Sequence, residues 1–181
     1  MPTIIIHGTG GSPNENWFPW LKKKLEEKGQ TVYVPQFPSP EHMNLTTWIE
    51  VFDDYKKHLD EDSILIGHSI GSAFILNVLE SLKSPIKAAY FVAGFTGLLD
   101  DPEFDPLIKT ISDRNFDWEK IKSNCKHFYV YVSDNDPYVP LEKGRALARK
   151  LGVEPIVLHG AGHINQGSGY TEFEELLENI A

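Results

Sequence analysis

Cysteine is all but absent from this chain: Cys125 is the only one in 181 residues. One thiol cannot close an intramolecular disulfide, so the core has to hold the fold, and a reducing compartment, the cytoplasm, is expected. No apolar run approaches the ~20 residues that a membrane-spanning helix needs. Nothing ahead of Thr3-Ile4-Ile5-Ile6 has the basic and apolar character of a secretory leader. Positive charge is in the minority, 17 Lys and Arg against 26 Asp and Glu, for a formal net charge of -9. That balance argues against nucleic acid or an anionic membrane surface as the main partner. The 7 histidines are scattered, with only His159 and His163 at a His-x-x-x-His interval, in a glycine-rich stretch without cysteine or carboxylate, and neither a metal nor a cofactor is expected.

What is present is the composition of an ordinary globule, 41% apolar and 24% charged. The length suits one domain, residues 1–181, with a sizeable core. Strand-like runs near 3–7, 31–35, 63–67, 87–93, 127–132 and 153–158 alternate with helix-like runs near 17–28, 46–58, 70–83, 141–151 and 171–180. Such alternation predicts an α/β fold of three layers, about six parallel strands with helices on both faces. Trp17, Trp20, Leu21 and Leu25 share the spacing of a buried helical stripe. Thr171 and Glu174 have the spacing of a capping box at the start of the last helix.

Within this frame, Gly67-His68-Ser69-Ile70-Gly71 stands between the apolar run Ser63-Ile64-Leu65-Ile66 and a helical segment that begins at Ser72. A strand that turns sharply into a helix crowds the backbone, and the two glycines relieve the crowding beside the central serine. The arrangement is that of a nucleophile elbow, with Ser69 as nucleophile at the end of the sheet.

An elbow serine needs a base and a group to orient it, and in hydrolases of this kind the chain order is serine, acid, histidine. The strand Phe128–Val132 leads into Ser133-Asp134-Asn135-Asp136-Pro137-Tyr138-Val139-Pro140. Asp136 is the expected acid, by the similarity of Asp-x-x-Val-Pro to the acid loop of α/β hydrolases, with Asp134 its rival. The next apolar run leads into Gly160-Ala161-Gly162-His163. His163 is the expected base because this glycine-rich loop can return a side chain over the sheet. Its rival His159, at the strand end, is expected to pack there.

The turn His7-Gly8-Thr9-Gly10-Gly11 follows the first strand. It lacks dinucleotide spacing and a Walker lysine. Beside Ser69 it suits an oxyanion hole, assigned to the backbone N–H groups of Thr9 and Ile70, with Gly10 a close rival to Thr9.

From Gly94 to about Lys122 the alternation breaks into short helical pieces with several aromatic and aliphatic residues. Since it follows a strand, the segment is expected over the C-terminal sheet edge. It is the candidate small cap, with Phe95, Leu98 and Phe104 as candidate pocket liners. Packing of the crossover on the sheet is the competing role for these side chains.

The chain resembles the small serine hydrolases of the retinoblastoma-binding protein nine type over nearly its full length. The likeness rests on His7-Gly8-Thr9-Gly10-Gly11, Ile66-Gly67-His68-Ser69-Ile70-Gly71, Phe116 through Cys125, Asp136-Pro137-Tyr138-Val139-Pro140 and Gly162-His163, and most specifically on Trp118 to Cys125. It implies a compact α/β-hydrolase core and hydrolysis through an acyl-serine, with Ser69, Asp136 and His163 matching the family's triad. The Leu-x-Cys-x-Glu motif associated with retinoblastoma-protein binding is absent, and that partner is not carried over. The expected activity is cleavage of a small carboxylic ester. Amide or peptidase-like hydrolysis, and a low-turnover protein-binding module on the same fold, are the alternatives.

Overall fold

The computed structural model describes residues 1–180; Ala181, the last residue of the expected 1–181 domain, lies outside the described residues. Six strands form one sheet: β1 (Pro2–Ile6), β2 (Thr31–Tyr33), β3 (Ile64–His68), β4 (Ile86–Val92), β5 (Cys125–Ser133) and β6 (Ile156–Leu158). Their order is β2-β1-β3-β4-β5-β6, and every neighbouring pair is parallel. The helices are α1 (Phe18–Glu27), α2 (Leu45–Lys56), α3 (Ile70–Ser81), α4 (Asp105–Ser112), α5 (Trp118–Ser123), α6 (Leu141–Leu151) and α7 (Glu174–Ile180).

Both sheet faces are buried, which is why the strands read as nearly continuous apolar runs. Successive strand side chains still alternate between faces. Ile4, Ile6, Leu65, Ala89, Phe91, Val130 and Val132 join one core with residues of α2 to α6. Ile5, Ile64, Ile66, Ala88, Tyr90, Val92 and Tyr131 join the other, with α1 and α7. Central α3 is buried along Ile70 to Leu79, matching its lack of a polar face.

Two local expectations differ from the structure. On α1 it is Phe18, with Trp17, Leu21 and Leu25, that is fully buried; Trp20 is half-buried, with the Lys24 ammonium over its ring. The last helix begins at Glu174, so Thr171 caps nothing. Thr171 instead closes a turn by donating its N–H to the Gly169 carbonyl. Cys125 is buried, and burial pushes its thiol up to about 12, as suits a packing residue.

At the β3–α3 turn main chain crowds main chain. A Cβ on Gly71 would lie 2.5 Å from the Ile6 carbonyl oxygen, and one on Gly67 would lie 2.6 Å from the backbone of Gly71. Backbone cannot move aside as a side-chain end can. Gly71→Ala is therefore expected to cost about 3 kcal/mol. Thermal unfolding checks this, with a Tm lower by roughly 6–12 °C.

Candidate active site

Ser69 stands between β3 and α3 with φ 55° and ψ -123°, a strained conformation for a residue with a Cβ. Its N–H donates to the Val92 carbonyl at 2.9 Å, tying the turn to β4. Strain of this kind gives a stability ordering: Ser69→Gly is expected to be about 1 kcal/mol more stable than Ser69→Ala, by chemical denaturation.

The loop after β5 and the loop after β6 are stitched together residue by residue. Asp134 accepts the Gly160 N–H at 2.8 Å and contacts His159 Nδ1 at 2.6 Å. Asn135 Oδ1 accepts the Gly162 N–H at 2.8 Å. Asp136 accepts from His163 Nδ1 at 2.8 and 3.0 Å, and its Oδ1 also accepts the N–H groups of Tyr138 and Val139. The Asp136 and His163 side chains are only 2% and 10% exposed. Donation from Nδ1 leaves the His163 Nε2 lone pair free, the tautomer that a general base requires. The loop reaches this position through Gly162, at φ +56°, where a Cβ would strike Ser168 Oγ at 2.4 Å.

The rival pair has a different place. The His159 side chain is 84% exposed, so it does not pack at the strand end as expected. Its imidazole is held outward by Asp134, whose carboxyl lies below its ordinary value mainly through the Gly160 N–H and then through His159.

Ser69 and His163 line one cavity of ≈ 290 Å³ together with Gly8, Thr9 and Gly10. Among the described residues no hydrogen bond joins Ser69 Oγ to His163, a looseness common in serine–histidine sites without substrate. The two oxyanion candidates in the glycine turn differ in their hydrogen-bond partners. The Gly10 N–H donates to Ser39 Oγ at 2.6 Å, whereas the Thr9 N–H has no protein acceptor among the described residues. The Gly8–Thr9 peptide is held from its carbonyl side, where Gly8 accepts from His7 Nδ1 at 2.8 Å and from the Gly11 N–H at 3.2 Å. Ile70 opens α3, so its N–H is one of the helix's unpaired first donors.

Of the expected pocket liners, Phe95 and Phe104 line the cavity, and Leu99 and Ile108 do so as well. Leu98 does not. After the turn at Gly97, its carbonyl is drawn to Lys143 Nζ at 2.6 Å, while the Leu99 N–H is held by Asp105. A one-residue difference of this kind depends on partners from α4 and α6.

Several site residues carried no sequence signal of their own. Trp17 donates its Nε1–H to the Ile164 carbonyl at 3.0 Å, supporting the histidine loop from α1's N-terminal end. His68 Nε2 lies 2.9 Å from the His163 carbonyl, which can only accept, so Nε2 carries the proton and Nδ1 is left without a partner. Burial first, and then the neighbouring His163, push the His68 imidazole down to about 3. The folded chain thus holds His68 neutral while the unfolded chain protonates it below its ordinary 6.5. This contribution is fully present above about pH 6.5 and is lost as pH falls, at up to about 1.4 kcal/mol per pH unit. Urea midpoints between pH 7 and 5 are expected to fall more steeply for the native chain than for His68→Asn.

A profile of the family described as serine hydrolase matches residues 3–181. The chain belongs to that family. It is an enzyme of the hydrolase class with the α/β-hydrolase fold. YdeN of Bacillus subtilis (strain 168) is 30% identical over 169 residues, covering 92% of this chain and 87% of that protein. The serine hydrolase RBBP9 of Rattus norvegicus is 29% identical over 180 residues, covering 98% and 92%. Among solved structures, the B. subtilis ydeN gene product superposes with a TM-score of 0.92 at 29% identity, over 99% of this chain and 96% of that one. Est1E from Butyrivibrio proteoclasticus, at 20% identity and a TM-score of 0.73, shares the fold over 99% and 84%. No helix among the described residues is long and apolar enough to cross a membrane.

Proposed function

We propose that this serine hydrolase cleaves small carboxylic esters through an acyl-serine, with Ser69, His163 and Asp136 as its triad. Ser69 Oγ attacks the carbonyl carbon while His163 Nε2 takes its proton. The same imidazole returns that proton to the leaving alkoxide as the acyl-serine forms, and then activates the water that hydrolyses it. Asp136 holds the ring and stabilises its charged form. The N–H groups of Thr9 and Ile70 receive the oxyanion.

The observation that carries this reading is the buried Asp136–His163 pair opening on the cavity that Ser69 lines from its strained turn. Fluorophosphonate labelling of the purified protein tests it. Labelling that requires both Ser69 and His163 is the expected result. An unlabelled native chain would favour the low-turnover binding module instead.

Residues 94–122 act as a small cap in this proposal, with Phe95 and Phe104 in contact with the acyl chain or the leaving group. Phe104→Ala is expected to lower kcat/KM on long-chain esters by about tenfold more than on short ones, the value of a few lost methylene contacts. An equal loss on both would assign Phe104 to packing alone.

A further inference from the structure

The cavity beside Ser69 has two kinds of lining. Phe95, Leu99, Phe104 and Ile108 are apolar, whereas Glu15, Asn16 and Asn165 are polar. Glu15 and Asn16 are neighbours in the chain, and the loop that carries Asn165 is brought to them from its far end. Asn16 Nδ2 reaches Glu15 Oε1 at 3.4 Å, and Asn16 Oδ1 accepts the Gln166 N–H at 2.9 Å, next to Asn165. Glu15 is half-buried at this wall. None of the ion pairs among the described residues includes it. Burial holds its carboxyl above the ordinary value, opposed in part by the Ser12 N–H.

A partly desolvated carboxylate with no cation beside it, in a cavity that also holds the nucleophile, lacks the countercharge that such groups usually have. The protein's own basic residues do not supply it. We infer that Glu15 is a specificity residue, and that it selects esters bearing an ammonium group within reach of Ser69. This rests on the reading of Ser69 as nucleophile. The two linings suit a substrate that is apolar on one side of the scissile bond and cationic on the other. The carboxylate supplies charge, and the Asn16 and Asn165 amides keep that wall polar. Glu15 takes no part in bond making, so its effect belongs to kcat/KM for charged substrates relative to neutral ones.

Two isosteric substrate pairs test this. Choline butyrate is compared with the same ester carrying carbon in place of nitrogen, which places the charge on the alcohol side. An aryl ester of trimethylammonio-butyric acid and its all-carbon isostere place it on the acyl side. The native chain is expected to favour the cationic member of at least one pair by about fivefold to tenfold in kcat/KM. Glu15→Gln is expected to remove that preference. Glu178→Gln, an exposed position on α7, changes the net charge equally and is expected to keep it. If Glu15→Gln does not fold, Glu15→Asp, with a retracted carboxylate, takes its place and is expected to weaken the preference. Turnover of the neutral esters with no preference in either pair would overturn the inference and leave the hydrolase reading standing. So would an equal loss of preference in both Gln variants, since that would be the effect of the protein's overall negative charge. No turnover of any ester together with no fluorophosphonate labelling would remove the role of Ser69, and this inference with it.

Discussion

Ser69→Ala is expected to lower ester turnover by roughly 10⁴ to 10⁶ with little change in KM. The substitution removes one oxygen and leaves the rest of the site in place. Gly8 approaches the Ser69 Cβ, which alanine keeps, and the Ser69 N–H to Val92 hydrogen bond involves backbone alone. His163 and Asp136 stay paired, and the proposed oxyanion donors, the N–H groups of Thr9 and Ile70, are unchanged. What remains is attack by water on a polarised carbonyl, which is slow because the water is not held in line as a serine oxygen is. A steady-state assay on an activated aryl ester, with circular dichroism to establish that the variant is folded, checks the value. Retention of more than a tenth of the rate would remove Ser69 from the role of nucleophile.

Asp136→Asn is the second large effect, about 10⁴ in kcat. Asparagine can still accept the Tyr138 and Val139 N–H groups through its oxygen. Its amide then presents N–H groups towards His163 Nδ1, which has to become an acceptor. The imidazole proton moves to Nε2, and the atom that should take the serine proton already carries one. The same replacement at Asp134 serves as the control. Asp134 reaches His159 and Gly160 and makes no hydrogen bond with His163, so Asp134→Asn is expected to keep turnover within about tenfold of the native chain. Equal losses from both variants would mean that the acid loop acts only by anchoring the histidine loop. A loss at Asp134 alone would move the acid role to that residue.

The comparison of these two aspartates shows where sequence reasoning stopped. Both stand in one turn two residues apart, and in the sequence only the Asp-x-x-Val-Pro similarity favours Asp136; no local rule says which carboxylate points to residue 163 and which to residue 159. The decision is made by hydrogen bonds spanning about 25 residues, which also place His159 outside and His163 inside. Thr9 and Gly10 are a second case. Their donors are equivalent on paper, and Ser39, 29 residues further on, occupies the Gly10 N–H. Leu98 and Leu99 are a third, settled by Lys143 and Asp105.

What the sequence by itself determined is the sheet and its central turn. Apolar runs of strand length separated by helical segments have one economical solution, a parallel sheet covered on both faces. Gly67 and Gly71 mark where the backbone must crowd, because any larger side chain there meets main chain. These are local constraints, written into neighbouring residues. The tertiary structure alone decided which polar groups meet above the sheet. Trp17 with Ile164, Asn16 with Gln166 and His68 with His163 are joined across 147, 150 and 95 residues. Such pairings arise when packing of the two cores brings loop ends to one sheet edge, and a buried polar group must then accept whichever partner the fold delivers.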